Sequence, residues 1–219
     1  MTIELYTGTP GSGKSLHMAE QIRIYTRLNR PVITNFEVNR HPKTAPWGVY
    51  DSEVDSPIDL VKTACEYWKT SGNRFREDYI LLCLDECQLI FNSRTWNAKD
   101  RKDWIRFLTQ HRKYGYKIIL CTQFDQMVDK QIRSLVEHQV IHRKVSNMGF
   151  VASCLSALTF GRLFVAVYTF YGMNMRLRSE FFLRLPWNQN IYDTHKTWEP
   201  PDWQDFEANG EPPRGAVNE

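Results

Sequence analysis

Gly8-Thr9-Pro10-Gly11-Ser12-Gly13-Lys14-Ser15 fits the pattern G-x-x-x-x-G-K-[ST], a phosphate-binding loop. Its glycines let backbone N–H groups turn toward a phosphate without Cβ clashes. Lys14 can reach the β/γ-phosphates, and the Ser15 hydroxyl can serve Mg²⁺. Ile3-Glu4-Leu5-Tyr6 before the loop reads as a short strand, and Ser15 to Leu28 after it as a helix. A helix N-terminus adds its dipole to an anion site. The expected phosphate-binding set is Gly8, Pro10, Gly11, Ser12, Gly13, Lys14, Ser15 and Leu16.

A strand–loop–helix start of this kind predicts alternating α/β structure, and the rest of the chain supplies it. Pro31 to Phe36 is β-rich, and residues 37 to 56 read as a long loop. Ile58 to Thr70 has helical apolar spacing. Tyr79 to Leu84 and Lys117 to Thr122 are continuous apolar runs, as in parallel strands buried on both faces. Ala98 to Tyr114 and Met127 to Glu137 read as helices, and Gln139 to Val145 as a strand. Right-handed crossovers then give a doubly wound, mostly parallel sheet over residues 1–145. From 146 to 198 the helical spacing stops, and an antiparallel β extension is expected. Met148 to Met173 is apolar, but Arg162 and Gly161 interrupt it; Leu163 to Tyr171 reads as one arm of a hairpin rather than a membrane span.

Composition agrees with one domain and a tail. The chain has 219 residues, 42% hydrophobic and 13% aromatic, enough for a real core. Residues 199–219 carry six acids and one base, a net of −5 against +3 for the whole chain, which leaves +8 on the body. That Pro-rich tail is expected to be disordered, with Trp198, Trp203 and Phe206 able to dock its start. The basic body permits contact with nucleic acid or an acidic membrane face. Five cysteines without a Cys-x-x-Cys pair fit a reducing compartment, and Cys83 and Cys121 read as buried hydrophobes.

Ile80-Leu81-Leu82-Cys83-Leu84-Asp85-Glu86 completes the site. Asp85 ends a buried strand and is the expected Mg²⁺ partner; Glu86 is the candidate base for the attacking water. The strand Lys117 to Cys121 ends in Thr122-Gln123, and Gln123 is the preferred γ-phosphate sensor. Arg133, Arg112 and Arg94 are candidate arginine fingers, Arg133 preferred and Arg112 the alternative. His138 and His142 would stand about 13 Å apart on a strand, too far for one metal. His111-Arg112-Lys113 and His142-Arg143-Lys144 are basic triplets that could meet phosphates or solvent.

The P-loop, Val32-Ile33-Thr34-Asn35, Leu84-Asp85-Glu86, the block His111 to Gln123 with Ile132-Arg133, and Ile191-Tyr192-Asp193-Thr194 resemble the zonula occludens toxin (Zot) domain family, over roughly residues 1–195. The resemblance implies an ASCE-type, RecA-like P-loop ATPase that binds ATP and Mg²⁺. It implies a ring oligomer, with a hexamer as one form, that extrudes single-stranded DNA during filamentous-phage or prophage assembly. Phage coat and inner-membrane assembly proteins are its implied partners, and the cytosolic face of the host's inner membrane its implied place. Phage members usually carry a membrane helix after this domain, whereas here a short acidic tail follows residue 195. Two other readings stay open: a nucleotide-gated assembly scaffold with little turnover, and a small-molecule kinase.

Overall fold

In the computed structural model, residues 2–36, 38, 47–51, 55–92, 98–147, 159, 162–173 and 175–184 are described. The elements are β1 (Ile3–Thr7), α1 (Lys14–Arg27), β2 (Val32–Thr34), β3 (Trp47–Val49), α2 (Pro57–Thr70), β4 (Ile80–Leu84), α3 (Ala98–Tyr114), β5 (Tyr116–Cys121), α4 (Lys130–Arg133), β6 (His138–Lys144), β7 (Leu163–Phe170) and β8 (Met175–Leu183). They build one eight-stranded sheet in the order β3-β2-β4-β5-β1-β6-β7-β8. β1 to β6 pair in parallel, while β6–β7 and β7–β8 are antiparallel. The hairpin thus extends the same sheet, as its β-branched and aromatic composition predicts.

The central strands β1 and β4 are buried at every residue, because helices cover both faces. One face packs Tyr6, Val32, Leu81, Cys83, Ile119 and Val140 against Met18, Ala19 and Ile22 of α1. The other packs Leu5, Leu82, Leu84, Ile118 and Leu120 against Leu60 and Ala64 of α2 and Trp104, Phe107 and Leu108 of α3. α2 starts with a capping box, in which Ser56 and Asp59 satisfy each other's backbone, and with Pro57 at its first position. The thiols of Cys83, Cys87 and Cys121 are pushed up by burial, as expected of small hydrophobes.

Two elements differ from expectation. The loop over 37–56 contains β3, whose three residues pair with β2. The helix expected over 127–137 is confined to α4. A single 3-10 turn (Asp125–Met127) and an antiparallel bridge from Val128 to Asn92 precede it. Asp129 caps α4 by accepting from the Gln131 N–H, and Ser134 ends it. The apolar spacing of Val128, Ile132 and Val136 arises because all three enter the core, not from continuous helix. Cys154, Arg94, residues 185–198 and the tail 199–219 lie outside the described residues.

Candidate nucleotide site

The loop between β1 and α1 is shaped by its glycines. Gly8, Gly11 and Gly13 have φ of 146°, 72° and 98°. A Cβ on Gly8 would stand 2.6 Å from the His142 carbonyl oxygen and from Ser12 Oγ, and one on Gly13 would stand 2.8 Å from Phe164 Cδ1. Sterics therefore require glycine at 8 and 13, while Gly11 has open space around it and only its φ to satisfy. Gly13 caps α1 without a side-chain bond, so first-turn N–H groups are left for a ligand.

Lys14 is buried, and its Nζ donates to the carbonyls of Gly8 at 2.7 Å and Thr9 at 3.3 Å. The ammonium thus stands inside the curl of the loop. Ser12 Oγ is buried with no hydrogen-bond partner in the protein, which fits a loop shaped for an anion. These features fit a nucleotide's phosphates.

Asp85 follows β4 and is held by its backbone. Its N–H donates to Asn35 Oδ1 at 2.7 Å, and its carbonyl accepts from Asn35 Nδ2 at 2.9 Å. Asp85 Oδ1 accepts the Glu86 N–H at 2.9 Å. Asp85 is 9% exposed. Ser15 and Asp85 make a fitting donor set for Mg²⁺, which takes one or two carboxylates with hydroxyl, water and phosphate oxygens. Among the described residues no cluster of three or more His, Cys, Asp or Glu forms a dedicated metal cage.

Glu86 adopts φ of 45°, the left-handed region, and Gln88 Nε2 donates to its carboxylate. Such a conformation costs a non-glycine residue about 1–2 kcal/mol and is the kind of strain that collects at functional sites. It turns the chain sharply after Asp85. Gln88 Oε1 is buried without a partner.

Gln123 follows β5, which lies between β1 and β4. Its carbonyl accepts the Gly8 N–H at 3.3 Å, which joins Gln123 to the P-loop. Thr122 is spent on its own turn, its hydroxyl donating to the Phe124 carbonyl at 3.2 Å. Gln123 lines a cleft of about 450 Å³ together with Thr9, Asp125, Gln139, Arg143 and Lys144. All three residues of the basic triplet 142–144 border the cleft, and His142 among them is buried.

The two described arginine-finger candidates pair with acids outside the loop. Arg133 Nη1 lies 4.0 Å from Asp125 Oδ2, which also accepts the Tyr171 hydroxyl at 3.1 Å. Arg112 pairs with Glu137 at the amino end of β6, the far edge of the sheet.

Behind the loop lies a group that spacing alone does not show. His17 Nδ1 is 2.9 Å from His142 Nε2. His17 stacks on Tyr6 and Phe182, at ring centroid separations of 4.9 and 5.0 Å. Burial lowers the His17 pKa to about 4, helped by Lys117 and Arg178, and pushes His142 well below the ordinary value. Both rings are neutral. No motif marks His17 or Gln88 in the sequence, Asn35 is marked only within Val32-Ile33-Thr34-Asn35, and Arg143 belongs to the basic triplet expected to meet phosphates or solvent.

Residues 2–183 match the family described as zonular occludens toxin (Zot). The Gene 1 protein of Enterobacteria phage M13 is 33% identical over 172 residues, covering 73% of this chain and 47% of the phage protein. The chain thus spans about half the length of the curated relatives it matches. The N-terminal domain of zonular occludens toxin from Neisseria meningitidis has a TM-score of 0.57 at 19% identity, covering 88% of this chain and 98% of that one. The genome packaging NTPase B204 of Sulfolobus turreted icosahedral virus 2, solved with ATP-gammaS, has a TM-score of 0.51 at 15% identity, covering 84% and 98%. These two likenesses establish the shared P-loop NTPase fold.

Proposed function

The chain belongs to the zonular occludens toxin (Zot) family, and from that premise we propose that it is an Mg²⁺-dependent ATPase that drives filamentous-phage or prophage assembly. The observation that carries the reading is the strand order β4-β5-β1. It sets Asp85-Glu86, Gln123 and the P-loop side by side on the carboxyl edge of one parallel sheet.

The division of labour follows from the residues. The P-loop N–H groups and Ser12 hold the phosphates. Lys14 exchanges its bonds to the Gly8 and Thr9 carbonyls for γ-phosphate oxygens. Ser15 and Asp85 would hold Mg²⁺, which would supply charge neutralisation to the phosphates. Glu86 orients the attacking water and takes its proton. Gln123, bonded through its carbonyl to Gly8, reports the γ-phosphate to the β5–α4 turn. Arg133, or alternatively Arg112, serves as the finger of a neighbouring subunit in a ring.

The proposal extends to single-stranded DNA as cargo, coat and inner-membrane proteins as partners and the cytosolic membrane face as location, and it is supported by similarity to phage Gene 1 proteins. No described helix is long and apolar enough to cross a membrane.

ATP turnover is the test. Lys14→Ala should abolish it in a folded protein, and Glu86→Gln should trap bound ATP. Turnover at the wild-type rate in either variant would refute the assignment. A wild type that binds ATP but never hydrolyses it, with single-stranded DNA present, would favour the scaffold reading. Mixing Lys14→Ala subunits with Arg133→Ala or Arg112→Ala subunits identifies the finger, because only a trans-acting arginine changes the turnover of mixed rings.

A further inference from the structure

The sheet has two edges of different chemistry. The carboxyl edge holds the P-loop. The amino edge gathers the C-terminal ends of α1, α2 and α3, the 71–79 turn, and the β7–β8 turn, since Phe170 at the end of β7 pairs with His138 at the start of β6.

Arg27, Lys69, Arg74, Arg76 and Lys113 are exposed on this edge and enter no ion pair among the described residues. Glu66 and Glu77 are the exposed acids beside them, and Glu137 is taken by Arg112. Part of this charge complements helix C-termini. Helix dipoles do not explain Arg74 and Arg76, which lie beyond α2.

The same edge exposes apolar tips. Met173 is 74% exposed, Leu28 and Met175 are 55% exposed, and Phe75 is 47% exposed. Phe75 is held outward by a fixed base. The Trp68 ring lies 5.2 Å from Phe75 and 5.4 Å from Tyr79, and its Nε1 donates to the Tyr114 carbonyl at 2.9 Å. The Arg30 guanidinium covers Tyr79 at 5.2 Å. Gly115 lets the turn sit down, because a Cβ there would stand 2.8 Å from the Arg76 carbonyl oxygen and from Trp68 Cζ2.

We propose that this amino edge docks on an anionic lipid bilayer. Leu28, Phe75, Met173 and Met175 enter the headgroup boundary, and the unpaired basic side chains face lipid phosphates. Charge complementarity selects an anionic partner, and the apolar tips select a bilayer over nucleic acid. Single strands need open aromatic platforms, whereas Trp68 and Tyr79 are covered by the protein itself and the exposed tips are mostly aliphatic or thioether. The docked orientation leaves the nucleotide edge facing away from the bilayer. This surface is separate from the P-loop, so its test does not depend on turnover.

The experiment is flotation of the full chain with phosphatidylcholine vesicles, pure or with ~30 mol % phosphatidylglycerol. The anionic vesicles should take up at least ~10-fold more protein, less at high salt. Arg74→Glu/Arg76→Glu and Phe75→Asp/Met173→Asp should each cut uptake ~10-fold or more at unchanged melting temperature. Arg27→Glu/Leu28→Asp on α1 is the replacement pair should either misfold. Equal uptake by neutral vesicles, or full uptake by the variants, overturns the proposal. So does loss of oligonucleotide binding in these variants with no vesicle uptake by the wild type, which would mark a nucleic-acid surface.

Discussion

His17 Nδ1 and His142 Nε2, 125 positions apart in sequence, are joined at 2.9 Å directly behind the P-loop. The bond ties the first turn of α1 to β6, and Phe182 of β8 closes over it. Both rings are neutral when folded because burial disfavours the charged form.

The pair makes stability depend on pH. The folded pKa of His17 is about 4 against 6.5 for the free side chain. The unfolded chain therefore binds protons that the folded one does not between these values. Stability is complete above about pH 6.5 and falls as pH drops toward about 4. His17 alone contributes a fall on the order of 3 kcal/mol, and His142 adds to it. Urea melts from pH 7.5 to 4 check this; flat stability over that range in the wild type would contradict it.

Asn35→Ala removes both bonds to the Asp85 backbone and leaves its buried N–H unsatisfied. The expected cost is about 1–3 kcal/mol. Because Asp85 is then free to shift, the Mg²⁺ concentration for half-maximal turnover should rise. Asn35→Asp keeps the acceptor but sets a second negative charge beside Asp85. Turnover measured against Mg²⁺ tests both variants.

Gly13→Ala and Gly11→Ala should differ sharply. Both positions have positive φ, but only at Gly13 would a Cβ meet Phe164, at 2.8 Å. Gly11→Ala carries the conformational cost alone, about 1 kcal/mol. Gly13→Ala should weaken ATP binding at least ~10-fold, and Phe164→Ala in the same chain should restore part of it by removing the clash. Nucleotide titrations on the three variants decide.

Glu86→Gly should separate stability from activity. Glycine accepts the φ of 45° without strain, so the variant is expected to gain up to about 1 kcal/mol in chemical denaturation while losing turnover. A destabilised Glu86→Gly would show that the bond from Gln88 outweighs the backbone strain.

The parts of the site legible in the sequence were the local ones. Gly8 to Ser15 carries its own geometry, and Asp85-Glu86 announces itself by closing an apolar strand. Asn35 was opaque because its partner is 50 residues away. The histidine pair was opaque for the same reason, and because period-two spacing on β6 drew attention to His138 with His142, which do not meet. β3 leaves no legible signal because three residues make too short a pattern. The helical spacing over 127–137 runs past α4 because burial at 128, 132 and 136 imitates a helical face across a bridge, one helical turn and a loop.

The contacts of Gly13 with Phe164 and Phe182 have a consequence for biosynthesis. The wall behind the phosphate loop is translated long after the loop itself, with β7 and β8. A nascent chain ending near residue 145 carries every motif of the nucleotide site and not the surface against which its loop is shaped. The loop is therefore expected to reach its final shape only once β7 and β8 have paired onto β6, and a truncation after residue 145 should show this as lost nucleotide affinity.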